Sequence, residues 1–249
     1  FRVSVFLFVF FVSGILISGP AHGQVYENSF DGPNANDWIN ARGTWNVSAG
    51  ALLGRGGRFD PDCPRNDGWA WVGDPPITLP DDFSLRFGVE FLSPPAGRLL
   101  DGVGRHGGIM FCATTPTHHR DPRISGYQLY WIDREGDHGF NLFRIDNGIA
   151  TCIAGSECGV GGGGDLLDPP LEWKVVVDSR IIYFWGDDEL LLTVDDATYR
   201  GGHLGLFVWG NNQIAYDDFL INEGGLPGCG TCEPEVIEIG QVYDHQLDC

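Results

Sequence analysis

The segment from Glu172 to Asn222 constrains the fold more than any other part of this chain. Five apolar runs follow one another there: EWKVVVD, RIIYFW, ELLLTV, HLGLFVWG and QIAYDDFLIN. Between them lie Asp178-Ser179, Gly186-Asp187-Asp188, the loop from Asp195-Asp196 to Gly202, and Gly210-Asn211-Asn212. Gly, Asn, Asp and Ser reverse a chain because they tolerate left-handed backbone or hydrogen-bond their own backbone. Runs this short, rich in β-branched and aromatic residues, read as strands, and the segment as an antiparallel meander.

The same rhythm reaches back to Val25 through VYENSF, GTWNV, ALLG, WAWVG, FSLRFGVEF, GGIMFCA, GYQLYWI and GFNLFRI. No stretch of about ten residues holds helical apolar spacing. In FSLRFGVEF, Phe83, Leu85, Phe87, Val89 and Phe91 alternate with Ser84, Arg86, Gly88 and Glu90, which gives one core face and one wet face. GGIMFCA and HLGLFVWG are apolar on both faces and belong in the middle of a sheet. The 37 glycines and 15 prolines suit many tight turns. An all-β sandwich or barrel follows. Two long polar stretches, Thr114 to Ser125 and Gly155 to Pro170, are surface loops.

Phe1-Arg2, an apolar run from Val3 to Ile17 and the small residues before Gln24 have the layout of a secretory signal peptide over residues 1–23, cleaved after Gly23. A single-span anchor is the alternative, on a run short of the ~20 residues a membrane helix needs. Residues 24–223 form one β domain. Residues 224–249 shift to GGLPGCGTCEPE and read as a Cys-containing tail, the opening of a further segment beyond Cys249. The net charge of −19 disfavours nucleic acid and anionic lipid as partners and suits cations and neutral sugars.

Seven cysteines in an exported chain are disulfide candidates. Cys152 and Cys158 bracket a short polar loop, and Cys63 with Cys112 is a second plausible pair. Cys229 and Cys232 form a CxxC that is open to three readings: a bridge, half a zinc site, or two halves of longer links.

The order of GTWNV, ALLG, FSLRFGVEF, GGIMF, GYQLYWI, EWKVVVD and HLGLFVWGNNQIAYDDFLIN resembles the concanavalin A-like lectin and glucanase superfamily. Within it the chain is similar to laminin-G-like and 3-keto-disaccharide hydrolase-type domains of exported bacterial proteins, over residues 25–222. The resemblance implies a two-sheet antiparallel jelly-roll sandwich, with the last strand, Gln213 to Asn222, beside the first, Val25 to Phe30. It also implies a concave sheet presenting a sugar groove and, in many members, a bound calcium ion. The ExDxxE triplet of laminarinase-type glucanases does not occur here, which counts against a retaining mechanism with two close carboxylates.

Sugars are held by aromatic rings stacked on their C–H faces and by polar groups on their hydroxyls. Trp69 and Trp71 share one face of their strand, Arg86 and Glu90 another, Gln128 and Tyr130 another, and Asn141 alternates with Leu142. If these faces lie in one sheet, Arg86, Glu90, Gln128, Tyr130 and Asn141 converge on a groove; otherwise Trp69, Trp71 and Trp131 are core. Calcium needs several oxygen ligands, and Asp31 with Asp218 can meet if the first and last strands are neighbours. His118 and His119 with Asp121 can hold a metal if His106 or His138 supplies a further ligand.

Three functions fit. The first is a secreted, non-catalytic module that binds neutral polysaccharide. The second is a glycoside hydrolase acting on a 3-keto-glycoside or glucan, with Glu90 as acid or base or with a histidine-bound metal. The third is a structural or adhesive segment of a larger surface protein.

Overall fold

The computed structural model describes residues 23–32, 36–56, 67–93, 103–118, 121–134, 137–158, 168–210 and 212–224. The proposed signal peptide and tail lie almost wholly outside them. Fifteen strands follow in chain order. The first five are β1 (Gln24–Asn28), β2 (Trp38–Arg42), β3 (Thr44–Ser48), β4 (Ala51–Arg55) and β5 (Gly68–Val72). Then come β6 (Phe83–Phe91), β7 (Val103–Ala113), β8 (Gly126–Arg134), β9 (Asp137–Asp146) and β10 (Ile149–Gly155). The last are β11 (Glu172–Asp178), β12 (Ile181–Gly186), β13 (Glu189–Asp195), β14 (His203–Val208) and β15 (Gln213–Glu223).

They form two antiparallel sheets. An eight-stranded sheet runs β13-β12-β11-β6-β15-β4-β3 with β1 also on β15, and a seven-stranded sheet runs β10-β9-β8-β7-β14-β5-β2. This is the jelly-roll sandwich, and the first strand pairs with the last through Asn28 opposite Phe219. Three hairpins turn on two residues that are both left-handed, Ala49-Gly50, Asn147-Gly148 and Asp187-Asp188. That turn matches the twist of the strands it joins.

The meander expected from Glu172 onward holds for β11, β12 and β13 and then breaks. β14 crosses to the other sheet, between β7 and β5, and β15 returns to lie between β6 and β4. The cause is the side-chain pattern. HLGLFVWG is apolar on both faces and joins the sheet whose outer face is apolar too, whereas β15 carries the exposed Asp218 on its outer side.

The core lies between the sheets. Phe83, Leu85, Phe87 and Val89 of β6, Val175 and Val177 of β11, and Ile214, Tyr216, Phe219 and Ile221 of β15 meet Ile109, Phe111, Leu129, Leu142 and Leu206 from the other sheet. Phe140 locks the layers edge-on, 4.8 Å from Trp173 and 4.5 Å from Phe184 between ring centroids. Tyr216 is fully buried, and its hydroxyl lies 2.8 Å from the carbonyl oxygens of both Gly108 and Phe207 across the sandwich. Burial holds its phenol neutral far above the usual value.

β15 carries a bulge between Asp217 and Leu220 relative to β6. Burial raises the Asp217 carboxyl, and the nearby Asp218 and Asp31 charges add to this, opposed by the bond from Asp218 N–H.

Tyr216→Phe removes one cross-layer donor and is expected to lower the unfolding free energy by about 1 kcal/mol. Tyr216→Ala is expected to cost roughly 3–5 kcal/mol through the cavity it leaves. Urea denaturation reads both, and an unchanged midpoint for Tyr216→Phe would show the hydroxyl to be idle. Because the folded-state pKa of Asp217 is raised, the folded protein binds more protons than the unfolded chain, so this group favours folding at low pH and opposes it once ionised. Asp217→Asn is therefore expected to be more stable than wild type at pH 7. Thermal melts should show the gap closing below about pH 4, the range of an unperturbed Asp.

Candidate functional site

The outer face of the seven-stranded sheet is apolar, like its inner face. Cross-strand register sets Trp69, Phe207, Gly108, Tyr130, Asn141 and Gly155 side by side in one row. The next row is Trp71, Gly205, Met110, Gln128, Phe143 and Cys152. Six neighbouring strands span roughly 24 Å. The rings pack against one another. Trp69 stacks on Phe207 at 5.1 Å, and Tyr130 on Phe143 at 5.4 Å. Gly205 makes this possible, since a Cβ there would sit 2.9 Å from the Trp71 ring.

The residues of these rows are all buried. Trp69, Trp71, Gln128 and Asn141 are 0%, 1%, 3% and 0% exposed, whereas Tyr130, His106 and Trp209 keep 6%, 7% and 8%. Those last three are in contact, with the His106 ring 4.9 Å from Tyr130 and stacked 5.2 Å from Trp209.

Beside them a turn carries Glu157. The Tyr130 hydroxyl donates to its carboxylate at 2.7 Å, and its backbone N–H donates to Asn141 Oδ1 at 2.8 Å. The Cys152–Cys158 disulfide closes this turn, as the bracketing of the polar loop suggests. At the other end of the face, Asp67 accepts the Trp69 indole N–H at 3.0 Å. Two polar atoms on the face are buried without a hydrogen-bond partner, Trp71 Nε1 and Asn141 Nδ2. Both are donors, and both lie beneath the surface, on residues 1% and 0% exposed.

The sequence-selected residues divide between the sheets. Trp69, Trp71, Gln128, Tyr130 and Asn141 share the outer face just described, with both tryptophans beneath the surface rather than on it. Trp131 is in the inter-sheet core. Arg86 and Glu90 do not converge with them, because β6 belongs to the other sheet. Strand alternation tells in from out but not one outer face from the other. Glu90 is exposed opposite Ala215, and Arg86 lies 3.9 Å from Glu172 with both half-exposed.

A cleft of about 420 Å³ on that sheet is lined by Glu27, Arg86, Glu172, Asp187 and Asp218 among others. Several of these groups are already engaged. Asp187 accepts the N–H groups of Leu171 and Glu172, and Glu27 accepts from Gln24.

The expected Cys63–Cys112 bridge is not formed. Cys112 is a buried free thiol, pushed far up by burial, and Cys63 lies outside the described residues. Asp31 does come near the bulge, where its charge acts on Asp217 beside Asp218. Even so, among the described residues no three His, Cys, Asp or Glu side chains could hold a metal ion.

Of the histidine cluster, His119 lies outside the described residues, and Asp121 is tied to Arg123 and Thr117, its carboxyl well below the usual range chiefly through the Arg123 hydrogen bond. His106 sits in the aromatic face, and His138 Nδ1 lies 2.7 Å from Asp133. Sequence reasoning passed over His106, Phe207, Trp209 and Glu157 as sugar contacts. For the first three the signal was present: His106 shares the parity of Met110, and Trp209 that of Phe207.

By sequence the chain matches no protein-family profile and no curated protein. Its structure is similar to solved structures that differ widely in sequence. One is the carbohydrate binding module CBM66 from Bacillus subtilis, at TM-score 0.52 and 20% identity, covering 75% of this chain and 96% of that one. A second is the VIP36 exoplasmic/lumenal domain in its Ca2+/Man3GlcNAc-bound form, at TM-score 0.53 and 10% identity, covering 84% and 92%. A third is the Bacillus licheniformis β-glucanase, at TM-score 0.50 and 11% identity, covering 81% and 98%. The chain therefore has the concanavalin A-like jelly-roll fold, the architecture on which these sugar-binding and sugar-cleaving proteins are built.

Proposed function

We propose that this protein is an exported, non-catalytic module that binds a neutral polysaccharide on the outer face of its seven-stranded sheet. The observation that carries the proposal is the chemistry of that face. An aromatic layer centred on Trp209, His106 and Tyr130 is set with amide, indole and carboxylate groups, two of them donors without a partner. Rings supply stacking and the polar atoms read hydroxyls, which is the combination a pyranose needs. The outer face of the other sheet carries Arg86, Lys174 and Glu172 instead, groups typical of a solvated surface.

Three further points support the reading. The signal-peptide layout of residues 1–23 supports export. The missing ExDxxE triplet favours binding over retaining hydrolysis. The net charge of −19 favours a neutral glycan over an acidic one.

The test uses the exported chain with barley β-1,3-1,4-glucan, mannan, xylan and laminarin, with and without chelator, scoring depletion onto the polymer and released sugar. Depletion without release is the expected result. Release would favour the glycosidase reading, and the chelator lane reports whether calcium takes part. Trp209→Ala and Gln128→Ala are each expected to weaken binding about tenfold or more, while circular dichroism still shows a folded β protein. Full binding by both variants would move the site elsewhere.

A further inference from the structure

We infer that the outer face of the eight-stranded sheet carries a second glycan surface, built on Tyr183 and Trp185 of β12 and continued by the neighbouring cleft, and that its occupant is a neutral polysaccharide. The inference goes beyond the binding reading above and stands on different residues.

Strand alternation sets both rings outward. Ile182 and Phe184 of β12 enter the inter-sheet core, so Tyr183 and Trp185 point the other way. Six of the eight tryptophans in the chain are buried, and Trp38 packs against the core. Trp185 is the exception, partly exposed and in neither core cluster. It stacks with Tyr183, their ring centroids 5.5 Å apart. The Tyr183 hydroxyl and the Trp185 indole N–H are not buried and bond no group among the described residues, so both are open to a sugar hydroxyl.

Cross-strand register extends this platform into a track. Trp185 lies opposite Leu190 on one side and Lys174 on the other, Lys174 lies opposite Arg86, and Arg86 opposite Leu220. The row crosses five strands, roughly 19 Å, and ends in the cleft of about 420 Å³ that Arg86 and Leu220 help to line. That volume lies within the range of small-ligand sites. Both ends have an apolar rim, since Leu190 is 45% exposed and Leu171, at the cleft, 66%. Only five large apolar side chains stand exposed among the described residues, and two of them flank this track.

The charges along the track select the occupant. Arg86 and Lys174 are cationic, whereas Glu172 and Asp218 at the cleft are anionic. A polymer of either charge is repelled by one pair, and a neutral one by neither. The Arg86–Glu172 contact is long, at 3.9 Å, and the Lys174 ammonium lies 5.1 Å from the centre of the Trp185 ring. Such exposed contacts are weak in water, so a pyranose displaces the ammonium from the ring at little cost and lays its C–H face there instead. The rings supply the binding energy. Because the two sheets face opposite ways, a molecule that also binds through Trp209 and Tyr130, as the reading above has it, bridges two separate chains.

The experiment measures affinity of the full chain for barley β-1,3-1,4-glucan, mannan, xylan and laminarin beside polygalacturonate and chitosan, with thermal melts of every variant. Trp185→Ala and Tyr183→Ala are each expected to weaken binding of a neutral polymer about three- to tenfold, the range for a lost ring contact. Their Tm is expected to stay within about 2 °C of wild type, because neither side chain is in the core. Trp185→Phe keeps a ring and is expected to bind within about twofold of wild type. Wild-type affinity in both alanine variants, with weak binding by Trp209→Ala, would overturn the inference and leave the proposed function standing. Weak binding by Trp185→Ala with full binding by Trp209→Ala would uphold the inference and remove the other face. Stronger retention by polygalacturonate or chitosan than by any neutral polymer would overturn the choice of occupant. Retention by none of the polymers would remove the function and the inference together.

Discussion

A sheet that is apolar on both faces cannot be satisfied by a two-layer sandwich alone, and this constraint organises the molecule. The eight-stranded sheet covers the inner face of β7, β8, β9 and β14 in the ordinary way. The outer face carries Trp69, Trp71, Met110, Tyr130, Phe143 and Phe207, which would expose several hundred Å² of hydrocarbon if left bare, more than a soluble monomer tolerates. Two responses are visible. Rings lie flat on positions with no side chain, as Trp71 does on Gly205, so they cover one another and the sheet. The turn after β10 folds back onto the face, pinned by its disulfide. Even His106, Tyr130 and Trp209 keep only 7%, 6% and 8% exposure.

The two outer faces have therefore diverged in chemistry while sharing one architecture. On the eight-stranded sheet Arg86 pairs loosely with Glu172, and the Lys174 ammonium lies 5.1 Å from the centre of the Trp185 ring. Such contacts cost little to make or break in water and give solubility rather than recognition. On the seven-stranded sheet several polar groups have defined partners. Asp67 fixes Trp69, Asn141 fixes Glu157, and Tyr130 fixes its carboxylate. Buried hydrogen bonds of this kind specify geometry, because a misplaced partner loses the bond without regaining water.

Much of the fold was legible because alternation is a direct record of the pleat. Phe83, Leu85, Phe87 and Val89 of β6 point inward as the period of two requires, and the doubly apolar runs became β7 and β14 in the covered sheet. Less legible was sheet membership. Nothing local distinguishes β6 from β8 or β9, so Arg86 and Glu90 were placed with Gln128, Tyr130 and Asn141 although a whole core separates them. Connectivity decided this, and connectivity follows from which faces must be covered, a property of the whole set of strands. The Cys63–Cys112 pairing failed for a similar reason. Cys112 lies on a central strand at the core, where burial by neighbours, not spacing in sequence, determines its surroundings. Glu157 was hidden because a turn has no period to read, and only the two flanking cysteines marked that it was held.

The same burial that protects the aromatic face also leaves it under-satisfied. Asn141 Nδ2 and Trp71 Nε1 are donors removed from water with no protein acceptor, and each such group costs about 1–3 kcal/mol relative to one that is bonded. In a protein whose total margin is on the order of 5–15 kcal/mol, two of them on one face are a substantial debit. Asn141 and Trp71 are 0% and 1% exposed, so a group that bonds either donor must first displace what covers it. Occupation and stability are then linked: whatever satisfies these donors binds the folded chain and not the unfolded one, and raises the free energy of unfolding in proportion to the logarithm of its concentration. The unpartnered donors and the stapled turn act in opposite senses: the donors cost the fold stability, whereas the Cys152–Cys158 bridge restricts the unfolded chain and so favours the fold.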